Sequence, residues 1–444
     1  MTPDRKRVAA VEGDTEDRLS ALPRNVIHDI LRLLPVHDAA RTSILSKNWR
    51  YIWAILPNLV LDKHFCNKLA LKSQSVLKET VDEILLQHLG DIVKFVRDIS
   101  GTHLTSYADI DRWMRFVTRN NVKELILGMP DNSTYKLPSH VFNCPTLTSL
   151  KLFNCIVKPT NSFLGFQNLT TLRLEKITFV PTMEFWVINA PLLVNLTLKH
   201  CNGTQYLDTV VSSGLKYLSV RETHFNLDLN RFMNYKNLTN LYLVVESPIA
   251  TDERSTYEKL ISSVPTLQVL TLGSFVLELL STGVVTKGLP FTLNCLWHLR
   301  LGVNLGQMGQ TSCALELIKS FHNLSKLDIW VCVACDNAEA VMKYLDRPTC
   351  LDRPLDKLKD VDMYLYNGSK VELLFIKLLF ARTPSLVRMD IKQKEALGTR
   401  EERNITKELM RFPRASPKAE LFYSTNADQD FKSVDLRFDA INAH

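Results

Sequence analysis

Two cysteines two residues apart, Cys332-Val333-Ala334-Cys335, are the pair whose type and spacing best suit metal or redox chemistry. Thiolates so placed can share a zinc ion or close a disulfide. A structural zinc site needs a second ligand pair, and no matching motif occurs elsewhere in the chain. The cysteines number nine, an odd count, and they are scattered, so free thiols are expected rather than a disulfide framework. Gly302, Gly306 and Gly309 lack the spacing of a dinucleotide-binding turn. There is no G-x-x-x-x-G-K-[ST], H-E-x-x-H or G-x-S-x-G, and spacing assigns no paired carboxylates or Cys/His set. The expectation is a non-catalytic protein without cofactor or metal. Asn168-Leu169-Thr170 and Asn195-Leu196-Thr197 have the form of glycan acceptors, but only a secretory route would use them.

The elements that position these residues belong to an ordinary globular chain. Its 444 residues allow two to four structural units, and 45% hydrophobic with 23% charged residues is enough for a sizeable core. The net charge of +7 is spread along the chain, which argues against a nucleic-acid partner. Arg5-Lys6-Arg7 is the one dense basic run and reads as a solvated tail rather than an import signal. Met1 to Asp17 is polar, so no secretory signal is expected there. No stretch approaches the roughly 18 apolar residues of a membrane span. Val371–Ala381 comes nearest, and Glu372 and Lys377 interrupt it. A cytoplasmic or nuclear protein with no membrane partner is expected.

Residues 17–62 place apolar side chains at helical spacing. Pro23 suits a first helical position, and Val26, Ile27, Ile30, Leu31 and Leu34 follow before Pro35. Asp38 is placed to cap a second helix through Leu45. Ser46 is placed to cap a third, carrying Trp49, Ile52, Trp53 and Leu56. A unit of about 45 residues buries too little of its surface to stand alone. Part of its apolar surface needs a cover, either the rest of the chain or another protein. The pattern alone leaves both open.

An internal repeat runs through the rest of the chain. The frame L-x-x-L-x-L occurs at Leu147/Leu150/Leu152, Leu169/Leu172/Leu174, Leu193/Leu196/Leu198 and Leu215/Leu218/Val220. It continues at Leu238/Leu241/Leu243, Leu267/Leu270/Leu272, Leu296/Leu299/Leu301 and Leu324/Leu327/Ile329. Weaker copies are Val122/Leu125/Leu127, Leu358/Val361/Met363 and Leu386/Met389/Ile391. Early copies lie about 22 to 25 residues apart, the period of leucine-rich repeats, and later ones about 28 to 34. Each L-x-L is a short strand whose apolar face is buried only when repeats stack. Cys155, Cys201, Asn304 and Cys332 fall three residues after the last leucine, where such repeats want Asn or Cys, which gives Cys332 a structural role. The Asn-Leu-Thr/Ser sequons mark the leading edge of the repeat. Residues 63–120 are expected to be mostly helical and to cap the first repeat.

Side chains between the leucines point to the opposite sheet face. That face carries Lys151, Arg173, Lys199 and Arg221, then Tyr242, Arg300, Trp330 and Tyr364, with Asp328 and Asp362. It is a candidate surface for an extended partner, with an acidic or phosphorylated segment expected near Arg173 and Arg221.

Three runs in the N-terminal module resemble the plant form of the F-box. They are Leu19-Ser20-x-Leu22-Pro23, Ile30-Leu31-x-Leu33-Leu34-Pro35 and Thr42-Ser43-x-Leu45-Ser46-Lys47-x-Trp49-Arg50-x-x-Trp53. Asn48 departs from the family's frequent basic residue. Phe412-Pro413-Arg414-Ala415-Ser416-Pro417-Lys418-Ala419-Glu420 resembles the FBD domain. Together with the repeats, these runs make residues from about 17 to about 425 similar to plant F-box/FBD/leucine-rich-repeat proteins. The resemblance implies an α/β fold: a three-helix F-box, a leucine-rich-repeat solenoid with a curved parallel sheet and outer helices, and an FBD cap. The implied boundaries are a tail at 1–15, the F-box at 16–62, a helical linker and cap at 63–120, repeats at 121–354, the FBD domain at 355–430 and a tail at 431–444. It also implies a substrate-recognition subunit of an SCF ubiquitin ligase. Such a subunit would meet a Skp-type adaptor through Leu22, Pro23, Ile27, Ile30, Leu31, Leu34 and Leu45, with Trp49 and Trp53 either contacting it or bracing the third helix, and through the adaptor the cullin and RING subunits. A target protein would meet the repeats. A scaffold outside any ligase and a small-molecule-gated receptor are the alternatives.

Overall fold

The computed structural model describes residues 22–34, 36–44, 49, 52–99, 107–131, 133–158, 163, 165–180, 186–204, 207–222, 229–282, 293–333, 338–347, 349–394 and 398–425. Met1–Asn132 and Ser133–His444 form two compact units.

In the first unit α1 (Arg24–Arg32) starts directly after Pro23, whose fixed φ of −57° leads into the first turn. In α2 (Val36–Arg41), Asp38 does not cap the helix as expected. It lies in the first turn, where its charge favours the N-terminal dipole. Of the expected third helix, residues 46–48, 50 and 51 lie outside those described, and its described end is a 3-10 turn, Trp53–Ile55. β1 (Asn58–Leu61) follows, then α3 (Lys63–Ala70), α4 (Gln74–Gln87), β2 (Lys94–Asp98), α5 (Ala108–Arg119) and β3 (Glu124–Gly128). Asp62 and Ser73 cap α3 and α4, accepting from the backbone N–H groups of Phe65 and Val76.

β1, β2 and β3 pair in parallel. The span 63–120 is mostly helical, as expected, through α3, α4 and α5, but β2 in the middle of it is a strand that was not expected. Leu56/Leu59/Leu61 and Ile92/Phe95/Arg97 are thus two further repeat frames, all of whose residues are buried. In the second, Arg97 stands where the last leucine would be. It is fully buried, with its guanidinium 4.1 Å from the centroid of the Trp113 ring. The Trp113 indole donates to Asp82, which also accepts from Arg112.

The second unit is built on β4 (Ser149–Phe153), β6 (Thr171–Glu175), β9 (Asn195–Lys199), β11 (Tyr217–Glu222), β12 (Asn240–Val245), β13 (Val269–Leu272), β14 (His298–Val303), β15 (Lys326–Val331), β16 (Asp360–Leu365), β17 (Arg388–Gln393) and β18 (Glu420–Thr425). They lie side by side in that order, every pair parallel. Small parallel pairs join β5 (Ile156–Val157) to β7 (Thr178–Phe179) and β8 (Trp186–Asn189) to β10 (Leu207–Val211). Equivalent leucines stand in register from Leu150 through Leu172, Leu196 and Leu218 to Met389, and all are buried. The run expected to form the FBD domain supplies β16, β17 and β18 to this same sheet.

Hydrogen bonds at the leading edge explain the sequons. The carbonyls of Thr148, Thr170 and Lys216 each accept two backbone N–H groups from the next strand's start. Asn168, Asn237 and Asn323 donate their side-chain amides to Pro145, Ser213 and Asn294 in the preceding repeat, at 2.8, 3.2 and 2.6 Å. Thr170, Thr239 and Ser325 donate their hydroxyls to Thr148, Lys216 and Trp297. The sequon side chains therefore tie each repeat to the one before. The repeat cysteines Cys155, Cys201 and Cys332 donate to carbonyls two residues back, at 3.4, 3.6 and 3.7 Å. Burial pushes the Cys155 and Cys332 thiols up from their ordinary value, toward the protonated form. Cys335 lies outside the described residues.

Asn154, Lys176 and His200, at one equivalent position of successive repeats, adopt φ of 57°, 53° and 50°. Each donates its N–H to the next strand, to Glu175, Lys199 and Arg221. The left-handed conformation costs a side-chain-bearing residue about 1–2 kcal/mol, against about 0.5–1 kcal/mol for the extra unfolded freedom of glycine. Lys176→Gly is therefore expected to raise the thermal midpoint slightly. A lowered midpoint would mean that the lysine side chain contributes more than its backbone costs.

Candidate functional site

The first candidate surface is apolar and lies on the N-terminal helices. Ile30 and Leu34 are exposed on and just beyond α1, as a partner-facing role requires. Pro23 is exposed and Leu22 half-buried. Ile27 and Leu31 are corrected: each is at most 3% exposed, so they pack the unit's own core instead of facing outward, and the burial of Trp49 and Trp53, at most 6% exposed, fits the bracing alternative. Leu45 lies outside the described residues. Two residues absent from the expected set are the most exposed apolar groups among the described residues of 22–56, Leu33 at 85% and Ile44 at 87%, and Ile55 is also exposed. Leu33 falls off the apolar stripe of α1 and Ile44 sits in a 3-10 turn, so periodicity did not select them. Apolar side chains this exposed mark a candidate surface for cover by a partner.

The second is the outward face of the sheet in the second unit. Lys151 and Arg173 stand in register on β4 and β6, and Lys199 and Arg221 on β9 and β11. The basic stretch is not a bare positive surface. Glu175, between them on the same face, meets Arg173 at 2.8 Å and Lys199 at 3.1 Å. Burial alone would raise the Glu175 pKa, but the Arg173 hydrogen bond and the two nearby cations outweigh it and hold the carboxyl below its ordinary value. Arg221 meets Glu246 at 2.9 Å, and His200 lies 3.7 Å from the same carboxylate. Burial lowers the His200 pKa, so that contact is mainly to a neutral ring.

Farther along, Tyr242 and Tyr364 are nearly buried, which corrects their expected availability, while Arg300 and Trp330 stay half-buried. Arg300 Nε lies 3.1 Å from Asp328 Oδ2 and His298 Nε2 lies 2.9 Å from it. A side chain on Gly302 would meet the Trp330 indole at 2.6 Å, so the indole lies across the neighbouring strand only because that residue is glycine. Lys392 sits 5.1 Å from the Tyr364 ring centroid and Arg388 5.0 Å from that of Phe422. Sequence reasoning missed Glu175, Glu246, His298 and Lys392. Alternation marked three of them as outward, but their pairings depend on cross-strand register. Among the described residues no group of three or more His, Cys, Asp or Glu is disposed to hold a metal, and no helix is long and apolar enough to cross a membrane.

Comparison with known proteins bears on both surfaces. The F-box domain profile matches residues 19–61. A profile described as FBD-associated F-box protein At5g56370, LRR repeats, matches residues 110–329. The chain is 29% identical over 430 residues to F-box/FBD/LRR-repeat protein At1g13570 of Arabidopsis thaliana, covering 93% of this chain and 99% of that one. It is 30% identical over 251 residues to F-box/FBD/LRR-repeat protein At4g00160 of the same plant, covering 54% of this chain and 53% of that one.

Proposed function

From its membership of the plant F-box/FBD/leucine-rich-repeat proteins, we propose that the chain is the substrate-recognition subunit of an SCF ubiquitin ligase in the cytoplasm or nucleus. The F-box binds a Skp-type adaptor, and cullin and RING subunits join through it. The outward sheet face captures the target. The subunit performs no bond chemistry: it raises the effective concentration of target lysines near the charged ubiquitin. The observation that carries this reading is the exposed apolar set Ile30, Leu33, Leu34 and Ile44 within a matched F-box. A few well-packed apolar anchors supply most of the energy of such an interface.

The test is affinity purification from plant extract, wild type against Leu22→Ala with Pro23→Ala. Wild type is expected to recover adaptor and cullin, and the variant neither. Equal recovery by both would remove the F-box from the interface. A scaffold outside any ligase shares the same surfaces. Ubiquitination of a bound target in a reconstituted complex separates the two.

A further inference from the structure

Building on the reading that the outward sheet face captures the target, we propose that β15 and β16 receive a lysine or arginine side chain of an extended target segment. It would pair with Asp362 beside Trp330. Asp328, Asp362 and Asp390 stand abreast on β15, β16 and β17, in parallel register. Neighbouring strands lie about 4.8 Å apart, and like charges directly opposite destabilise a sheet. The cations present do not complete the set. His298 and Arg300 both address Asp328 Oδ2. Arg388 serves Asp390 at 2.8 Å. Lys326 alone is shared by two carboxylates, 3.2 Å from Asp362 Oδ2 and 4.0 Å from Asp328 Oδ1.

Asp328 is only 9% exposed, yet its Oδ1 accepts no hydrogen bond. The shared Lys326 contact places that oxygen on the Asp362 side. A buried carboxylate oxygen without a donor normally meets one from elsewhere. Asp362 is the open member of the row, with its side chain 24% exposed against 12% for Asp328 and Asp390. Burial, reinforced by Asp328, holds the Asp362 carboxyl above its ordinary value, as expected where positive charge is short. Asp360 adds a further carboxylate in the adjoining row, between Lys326 and Arg388.

The chemistry of the surroundings selects the occupant. Trp330 and Tyr364 form the neighbouring register pair, and this part of the sheet already holds Lys392 and Arg388 against aromatic rings. Tyr364 is buried and already holds Lys392, so an organic cation gains the Asp362 carboxylate and the half-buried Trp330 ring. A phosphate-bearing or acidic segment would meet the aspartates with like charge. On β6 to β11 the cations are already engaged by Glu175 and Glu246, so the most open carboxylate of the aspartate row, Asp362, is the one left to receive a cation.

The full-length protein is probed by fluorescence polarisation with labelled alanine/serine peptides carrying paired arginines, lysines, citrullines or glutamates. The arginine and lysine peptides are expected to bind and the citrulline peptide not. Asp362→Asn is expected to weaken binding about tenfold or more, near 1.4 kcal/mol, while leaving the thermal midpoint equal or higher, because it relieves the carboxylate row. Trp330→Ala is expected to weaken the same peptides. Binding of arginine and citrulline peptides alike, or binding undiminished in Asp362→Asn, overturns the proposal. Binding of the glutamate peptide alone, lost in Arg173→Glu with Arg221→Glu, overturns it while leaving the face as the capture surface. Binding of none overturns the proposal and counts against the capture surface as well.

Discussion

Leu33→Asp combined with Ile44→Asp is expected to leave the protein folded and to reduce its affinity for a purified Skp-type adaptor roughly a hundredfold or more. Both side chains are more than four-fifths exposed, so each aspartate stays solvated in the free protein and costs the fold little. In the complex each would bury a carboxylate in an apolar contact, in addition to losing an anchor worth about 2 kcal/mol. Ile27→Asp and Leu31→Asp form the contrast. Those positions are buried, so a charge there disrupts the helical module itself and binding is lost together with structure. Calorimetric titration alongside circular dichroism separates the two classes. Unchanged affinity in the Leu33/Ile44 variant would move the adaptor contact to another face of the module.

Glu372→Ala should produce the largest local loss of stability from one polar group. Glu372 is fully buried near the start of the helix Lys370–Arg382. It accepts the backbone N–H groups of Tyr366 and Ser369, both at 2.6 Å, while Ser369 caps the helix in return. Removing the carboxylate strands those donors, at about 1–3 kcal/mol each. Hydrogen exchange over residues 360–382 is expected to report a local opening about 2–5 kcal/mol easier. Burial raises the Glu372 pKa despite the backbone donors that oppose it. A carboxyl raised in the folded state contributes most below the unfolded value, near 4.3, and that contribution is lost as pH rises through the folded value. The advantage of wild type over Glu372→Gln should therefore be greatest in acid and shrink toward neutral pH. A difference that grows with pH would show that the carboxylate is stabilised as the anion.

Most of the repeat architecture was legible because a two-residue strand alternation and a spaced leucine are both written locally. The two missed frames show where local reading stops. Leu56 ends the 3-10 turn of the helical module and was counted with its helices, while Leu59 and Leu61 lie on the short strand β1 that follows at once, so the frame they share was not recognised. In β2 a buried arginine occupies a leucine position, with the Trp113 ring beside it. The proposed adaptor surface was half legible. Helical spacing identifies an apolar stripe, but the same stripe serves a core or a partner equally well. Burial assigns Ile27 and Leu31 to the core and leaves Ile30, Leu33 and Leu34 outside. On the sheet face, alternation identifies Arg173 and Arg221 as outward. It does not identify Glu246, which lies just past β12 and reaches Arg221 only through register.

The leading-edge carbonyls, with the asparagines and hydroxyls that reinforce them, align each repeat on its predecessor without using a single outward side chain between the leucines. Alignment and recognition are thereby written in separate alphabets on the same strands. A set of such chains could exchange its outward residues and acquire new targets while the scaffold stays unaltered. Inserting one whole repeat would lengthen the recognition face by one strand and leave every other rung in place.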